Sequence, residues 1–247
     1  MVRAAHDTTR GAAADPFAGC SQEELELCLA AGYEVKECMR VLAKVGLNVV
    51  SEVLKEQGPF YELQHYPRGD VADPETHCQY YYHAHRPESG EHGHFHTFVR
   101  AGAIPPGIEP SPPPGSAPGP LGRHAVAHLV AISMDRHGHP THLFTTNRWV
   151  TDETWYRAED VIALLDRFAI DHAWPSWATN RWITAMIQLF RPQIAALLRE
   201  RDQVVAEWAR RHPGRDVLEM RELEITSILP VSIDAQIAEL ERRLSAT

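Results

Sequence analysis

Residues 79 to 98, QYYYHAHRPESGEHGHFHTF, carry five histidines within fourteen positions, spaced H-x-H and then H-x-H-x-H. The neutral imidazole is the commonest metal ligand among side chains, so this spacing poses a question of geometry. PESG, residues 87 to 90, has the chemistry of a hairpin turn. A turn there sets His85 opposite His92, His83 opposite His94, Tyr81 opposite His96, Gln79 opposite Phe98 and His77 opposite Arg100. Directly opposed residues point to the same side of a sheet, and so do residues two apart on one strand. His77, His83, His85, His92, His94 and His96 then project from one face. Tyr80, Tyr82, Ala84, Gly93 and Phe95 occupy the reverse, which suits apolar packing. A slip of one residue would separate the two histidine sets.

Two H-x-H pairs on adjacent strands supply three or four nitrogen donors to one ion. His83, His85, His92, His94 and His96 are the candidate ligands, and His128 is the best further one from outside the hairpin. His128 shares its strand face with His124, Val126 and Val130. An all-imidazole sphere suits iron, copper, zinc or nickel, whereas magnesium and calcium prefer oxygen. Glu91 alternates to the other face in this register. Asp70 and Asp73 read as turn or cap residues. His137, His139 and His142 sit at a second hairpin tip and face solvent, and His65 is left unassigned. Two metal ions are possible on a face so rich in donors.

The polar neighbours suggest how a substrate would be held. Tyr81 shares the histidine face and could donate a hydrogen bond or a proton. Arg100 on that face, and Arg148 after the second hairpin, could grip a carboxylate or phosphate bidentately. An ion pair with acidic residues is the competing role, particularly for Arg148. Trp149, Trp155, Trp174, Trp177 and Trp182 suit an apolar pocket or core packing equally well.

No Gly-rich phosphate loop, G-x-S-x-G elbow or H-E-x-x-H helix is present. The two-strand H-x-H arrangement resembles the metal site of cupins in style. The cupin glycine spacing and the glutamate after H-x-H are missing, so membership of that family does not follow. The leading expectation is a non-haem metalloenzyme, an iron- or copper-dependent oxygenase or related oxidoreductase acting on a small molecule. The alternatives are a zinc-dependent hydrolase and a non-catalytic metal- or haem-binding protein.

The elements that must position this hairpin can be read along the chain. Residues 1–16 read as a flexible leader, and 17–247 as a single α+β domain. Ser21 and Glu24 form a capping box ahead of a stripe of Leu25, Cys28 and Leu29. A second helix follows over 34–58, with Met39, Leu42, Val45, Val49 and Val53 at helical spacing and Gly58–Pro59 as its stop. FYELQHYP, 60–67, reads as a strand. Residues 101–122 are dense in Pro and Gly and read as an extended or mobile loop. A second hairpin spans 123–150, turning at DRHG. Helices are expected over 158–169 and 181–211, the latter kinked at Pro192, and over 232–244. The expected fold is α+β, an antiparallel sheet of about four or five strands built from two hairpins and enclosed by N- and C-terminal helices.

Bulk properties set the limits. The chain has 247 residues with a formal charge of −9, which argues against a broad nucleic-acid-binding face. Fifteen histidines stand against 24 Lys plus Arg, an excess that favours metal chemistry. Cys20, Cys28, Cys38 and Cys78 lack C-x-x-C spacing and read as buried reduced thiols. With neither a signal-like apolar core nor a membrane-length run, the protein reads as soluble and cytoplasmic.

Overall fold

A computed structural model describes residues 15–84 and 90–246. The leader expected over 1–16 falls outside them, apart from its last two residues. Among the described residues are seven helices and a six-stranded antiparallel sheet, an α+β architecture with one strand more than the sequence suggests. The strands are β1 (Tyr66–Ala72), β2 (Cys78–His83), β3 (Gly93–Arg100), β4 (Val126–Met134), β5 (Pro140–Thr146) and β6 (Ile225–Pro230), and they lie side by side in chain order. The helices are α1 (Gln22–Ala43), α2 (Val49–Leu54), α3 (Arg148–Thr151), α4 (Ala158–Leu164), α5 (Trp177–Leu189), α6 (Arg191–Arg211) and α7 (Ile233–Ser245). Among the described residues no helix is long and apolar enough to cross a membrane.

Local chemistry explains most element boundaries. Ser21 and Glu24 form the capping box that starts α1. The helix expected over 34–58 is divided differently. α1 runs unbroken through Gly32 to Ala43, and α2 starts afresh at Asn48, whose side chain accepts from Val50 and Ser51 N–H. Gly46, at φ 72, supplies the left-handed residue between them. The absence of a side chain at Gly32 lets Ile237 of α7 and Leu189 of α5 pack directly against α1; a Cβ there would lie 2.7 Å from Ile237. Pro192 does not kink one long helix. It lies in the first turn of α6, where its missing N–H costs nothing, and Phe190 separates α6 from α5.

The strand expected over 60–67 forms only from Tyr66 onward. β6 has no counterpart in the sequence reading. The Pro/Gly-rich segment stays without α-helix or strand, but its backbone is anchored rather than loose. Ser111 N–H donates to Trp155 O at 2.8 Å, and Trp155 N–H donates back to Pro118 O at 2.9 Å. Gly119, at φ +87, is required there, since a Cβ would sit 2.3 Å from the Glu153 carbonyl oxygen.

The helical layer packs on the sheet face that carries Tyr80, Tyr82, Phe95, Val99, Ile132 and Met134, all fully buried. Phe95 meets Trp182 of α5 with ring centroids 5.6 Å apart. The Tyr80 hydroxyl donates to Asn180 Oδ1 at 2.6 Å, which removes the cost of burying a phenol. All four cysteines are free, and burial pushes the Cys28 and Cys38 thiols up to about 12.

Candidate metal centre

The site begins with strand register. Across β2 and β3 the pairs are His83 with His94, Tyr81 with His96, and Gln79 with Phe98, as a turn in PESG requires. His83, His94 and His96 therefore share the sheet face opposite the helical core. Each offers a ring nitrogen within 4.8 Å of the others, and all three side chains are buried. The rings stand nearly perpendicular to one another, at 89°, 77° and 80°, with centroids 4.5 to 5.0 Å apart. His83 Nε2 and His94 Nε2 face each other at 2.7 Å. Three converging buried imidazoles form a group that could hold one transition-metal ion, since such ions take imidazole nitrogen readily.

A β-bulge adds His128. Ala131 pairs with His96 and Val130 with Thr97, but the next pair is His128 with Phe98, so Leu129 is the extra residue. Without it, His128 would fall opposite Val99 on the apolar face. The bulge places His128 beside His96, with His128 Nε2 3.0 Å from His96 Nδ1. The expected grouping of His128 with Val130 is thereby corrected: Val130 belongs to the other face, while Val126 stays on the side of His128. Burial holds the His128 ring well below its usual range, at about 3, with Arg201 and His94 acting in the same sense, so it is neutral at physiological pH.

Glu91 and His92 overturn the expected alternation. β3 starts only at Gly93, so the two residues before it do not follow the strand's two-residue period. His92 lies on the Tyr82 side, its Nδ1 2.6 Å from the Tyr82 hydroxyl and its ring stacked on Phe60 at 5.5 Å. Gly93 permits this, because a Cβ there would lie 2.5 Å from the Tyr82 oxygen. Glu91, in contrast, reaches the histidine centre, where His94 Nδ1 lies 3.1 Å from Glu91 Oε1. His85 lies outside the described residues. His77 is opposite Arg100 and accepts its N–H at 2.8 Å. With φ 55, however, it turns its ring onto Gly102, and it is not part of the cluster.

Tyr81 lies on the histidine face, its ring centroid 5.2 Å from that of His96 and 5.3 Å from that of His83. Burial raises its phenol pKa, so it remains protonated. His65, reached from the chain before β1, stacks on Tyr81 at 3.6 Å and 8°. From His65 a polar chain runs along the sheet through Asp70 and Gln79 to Arg100, with contacts of 3.0, 2.7 and 2.7 Å. Arg100 is exposed at its end. Arg148 is buried and engaged elsewhere, with Asp216 at 3.0 Å, Glu219 at 2.8 Å and the Ala117 carbonyl. Asp73 serves as a turn residue, accepting the Glu75, Thr76 and Asp171 N–H groups.

Two buried charged residues near the centre escape the sequence reading. Glu153 is fully enclosed and accepts the His128 backbone N–H at 3.1 Å. Burial raises its carboxyl to about 7, opposed by Arg201, the His128 N–H, Thr151 and Arg148. Arg201 donates to Tyr156 O at 2.6 Å and lies over the Trp155 ring at 4.3 Å. An arginine on the stripe formed by Ile194, Leu197 and Val205 was the available signal, because a charge on an apolar face needs a buried partner. Glu153 has no such signal: it lies in the irregular segment after α3.

No curated protein and no solved structure matches the chain. A family model described as a domain of unknown function, DUF6969, matches residues 29–231, which is most of the chain, and the protein belongs to that family.

Proposed function

We propose that the protein is a non-haem metalloenzyme whose resident ion is held by His83, His94 and His96, and that it carries out iron- or copper-dependent oxidoreductase chemistry on a small molecule. One observation carries this reading: three buried imidazoles from two adjacent strands converge with their rings mutually perpendicular. Neutral ligands leave the full charge of the ion in place, and three protein donors leave coordination positions for substrate or water. When bound, such an ion supplies Lewis acidity and, for iron or copper, electron transfer.

The surrounding residues serve binding and proton handling. Tyr81 keeps its proton and packs its ring against His83 and His96. Phe98 and Phe144 flank the imidazoles, at 6.2 Å from His96 and 5.2 Å from His94 respectively, and exclude water. Arg100 offers an exposed cation for an acidic group on a substrate. Arg148 does not serve in this reading, because its carboxylate partners already occupy it.

A zinc-dependent hydrolase is the second reading, since three imidazole donors with an open position also suit zinc, which activates a bound water.

Element-resolved metal analysis of protein purified without a histidine tag tests both. Near-stoichiometric iron or copper, lost on His94→Ala, is the expected result. Stoichiometric zinc would replace the first reading by the second. A parent protein that takes up none of the three after reconstitution would end both.

A further inference from the structure

The two ring nitrogens of an imidazole point away from each other, so a ligating histidine is oriented by whatever its second nitrogen contacts. His94 shows both sides of this. Its Nε2 faces His83 Nε2 at 2.7 Å, within the cluster. Its Nδ1 meets Glu91 Oε1 at 3.1 Å, and the Glu91 side chain is only 8% exposed. A carboxylate oxygen only accepts, so the Nδ1 beside it carries the proton. That proton assignment leaves the Nε2 lone pair directed into the cluster.

We propose that Glu91 is a positioning residue for the metal centre: it holds His94 as the Nδ1–H tautomer, presents Nε2 to the ion, and is not itself a ligand. His128 stands in the same relation to His96. In this arrangement His128 Nε2, 3.0 Å from His96 Nδ1, takes the hydrogen bond of that nitrogen and so directs His96 Nε2 to the ion. Of His83, His94, His96 and His128, the first three thus ligate and the last orients. This inference rests on the three-histidine reading of the centre. Outer partners of this kind raise the basicity of the ligand and fix its ring, and their loss typically lowers metal affinity about 10- to 100-fold.

The test uses the full chain loaded with Zn²⁺ or Co²⁺. Affinity is read by competition with a chromophoric chelator, and the donor set by X-ray absorption and the visible cobalt spectrum. Glu91→Ala is expected to weaken binding about 10- to 100-fold with an unchanged number of imidazole and oxygen donors. Glu91→Gln keeps an acceptor for Nδ1–H and is expected to retain more of the affinity than Glu91→Ala. His128→Ala is expected to leave the imidazole count at its parent value. Parent-like affinity in Glu91→Ala would overturn the inference while leaving the three-histidine centre intact. Loss of an oxygen donor in that variant, or of an imidazole in His128→Ala, would overturn it too, by making the residue a ligand. A parent protein that binds neither ion would remove the centre together with the inference.

Discussion

The two faces of the β2–β3–β4 sheet are built from the same strands, yet they are buried for different purposes. One face sets Tyr80, Tyr82, Phe95, Val99 and Ile132 against the helical layer, and its polar atoms are matched individually, as Tyr80 is with Asn180. The other sets Tyr81, His83, His94, His96, Phe98 and His128 together, and its rings are also almost wholly enclosed. Apolar burial is non-directional and follows the area removed from water. Imidazole burial requires partners at fixed angles, and here the partners are further imidazoles, Glu91 and the bulge in β4. The first face explains why the sheet is stable; the second explains what the sheet displays.

The strongest way to break this contrast is to remove packing from the first face. Phe95→Ala should cost about 3–5 kcal/mol in denaturant unfolding, while the protein that remains folded still binds metal at the parent stoichiometry. A cost below about 1 kcal/mol would mean that Phe95 is not part of a close-packed core.

Glu153 offers a pH-dependent test at the border of the second face. Its folded pKa, about 7, lies above the ordinary value of 4.5, so the folded state binds the extra proton in that interval. The corresponding stability is fully present below about pH 4.5 and is lost as pH rises through 7, by about 3 kcal/mol at most. The effect is read as the parent minus Glu153→Gln. His128 acts in the opposite sense, losing stability as pH falls from 6.5 towards 3, and it is common to both proteins. A difference that does not change with pH would mean that folding leaves the Glu153 carboxyl at its ordinary pKa.

A smaller effect sharpens the comparison directly. Free Zn²⁺ at 100 times its dissociation constant should stabilise the parent by about 2.7 kcal/mol, and should not stabilise His94→Ala. The increment should survive in Phe95→Ala, because metal linkage and apolar packing lie on opposite faces. Equal stabilisation of His94→Ala would place the zinc elsewhere.

Features that depend on near neighbours in the chain were determined by the sequence alone. The two-residue alternation and the turn chemistry of PESG set the pairs His83 with His94 and Tyr81 with His96, because hairpin register follows from where the chain reverses. The capping box at Ser21 and Glu24 marked the start of α1 for the same reason. Periodicity also gave the α+β class, although α5 and α6 merged into one expected helix, because an apolar stripe continues across the break at Phe190.

Tertiary structure decided what periodicity cannot express. One unpaired residue, Leu129, reverses the parity of β4 and brings His128 to the histidine face; bulges leave no mark in an alternating pattern that continues on both sides. The start of β3 at Gly93 sends His92 to Tyr82 and Glu91 to His94, since strand alternation holds only where the ladder does. His65 reaches Tyr81 from a separate segment, and Glu153 and Arg201 approach from segments 25 and more residues beyond β4's His128. The donors were legible because their spacing is local. The residues that orient them depend on where the strand begins and where the ladder slips, and those are settled only when the chain packs.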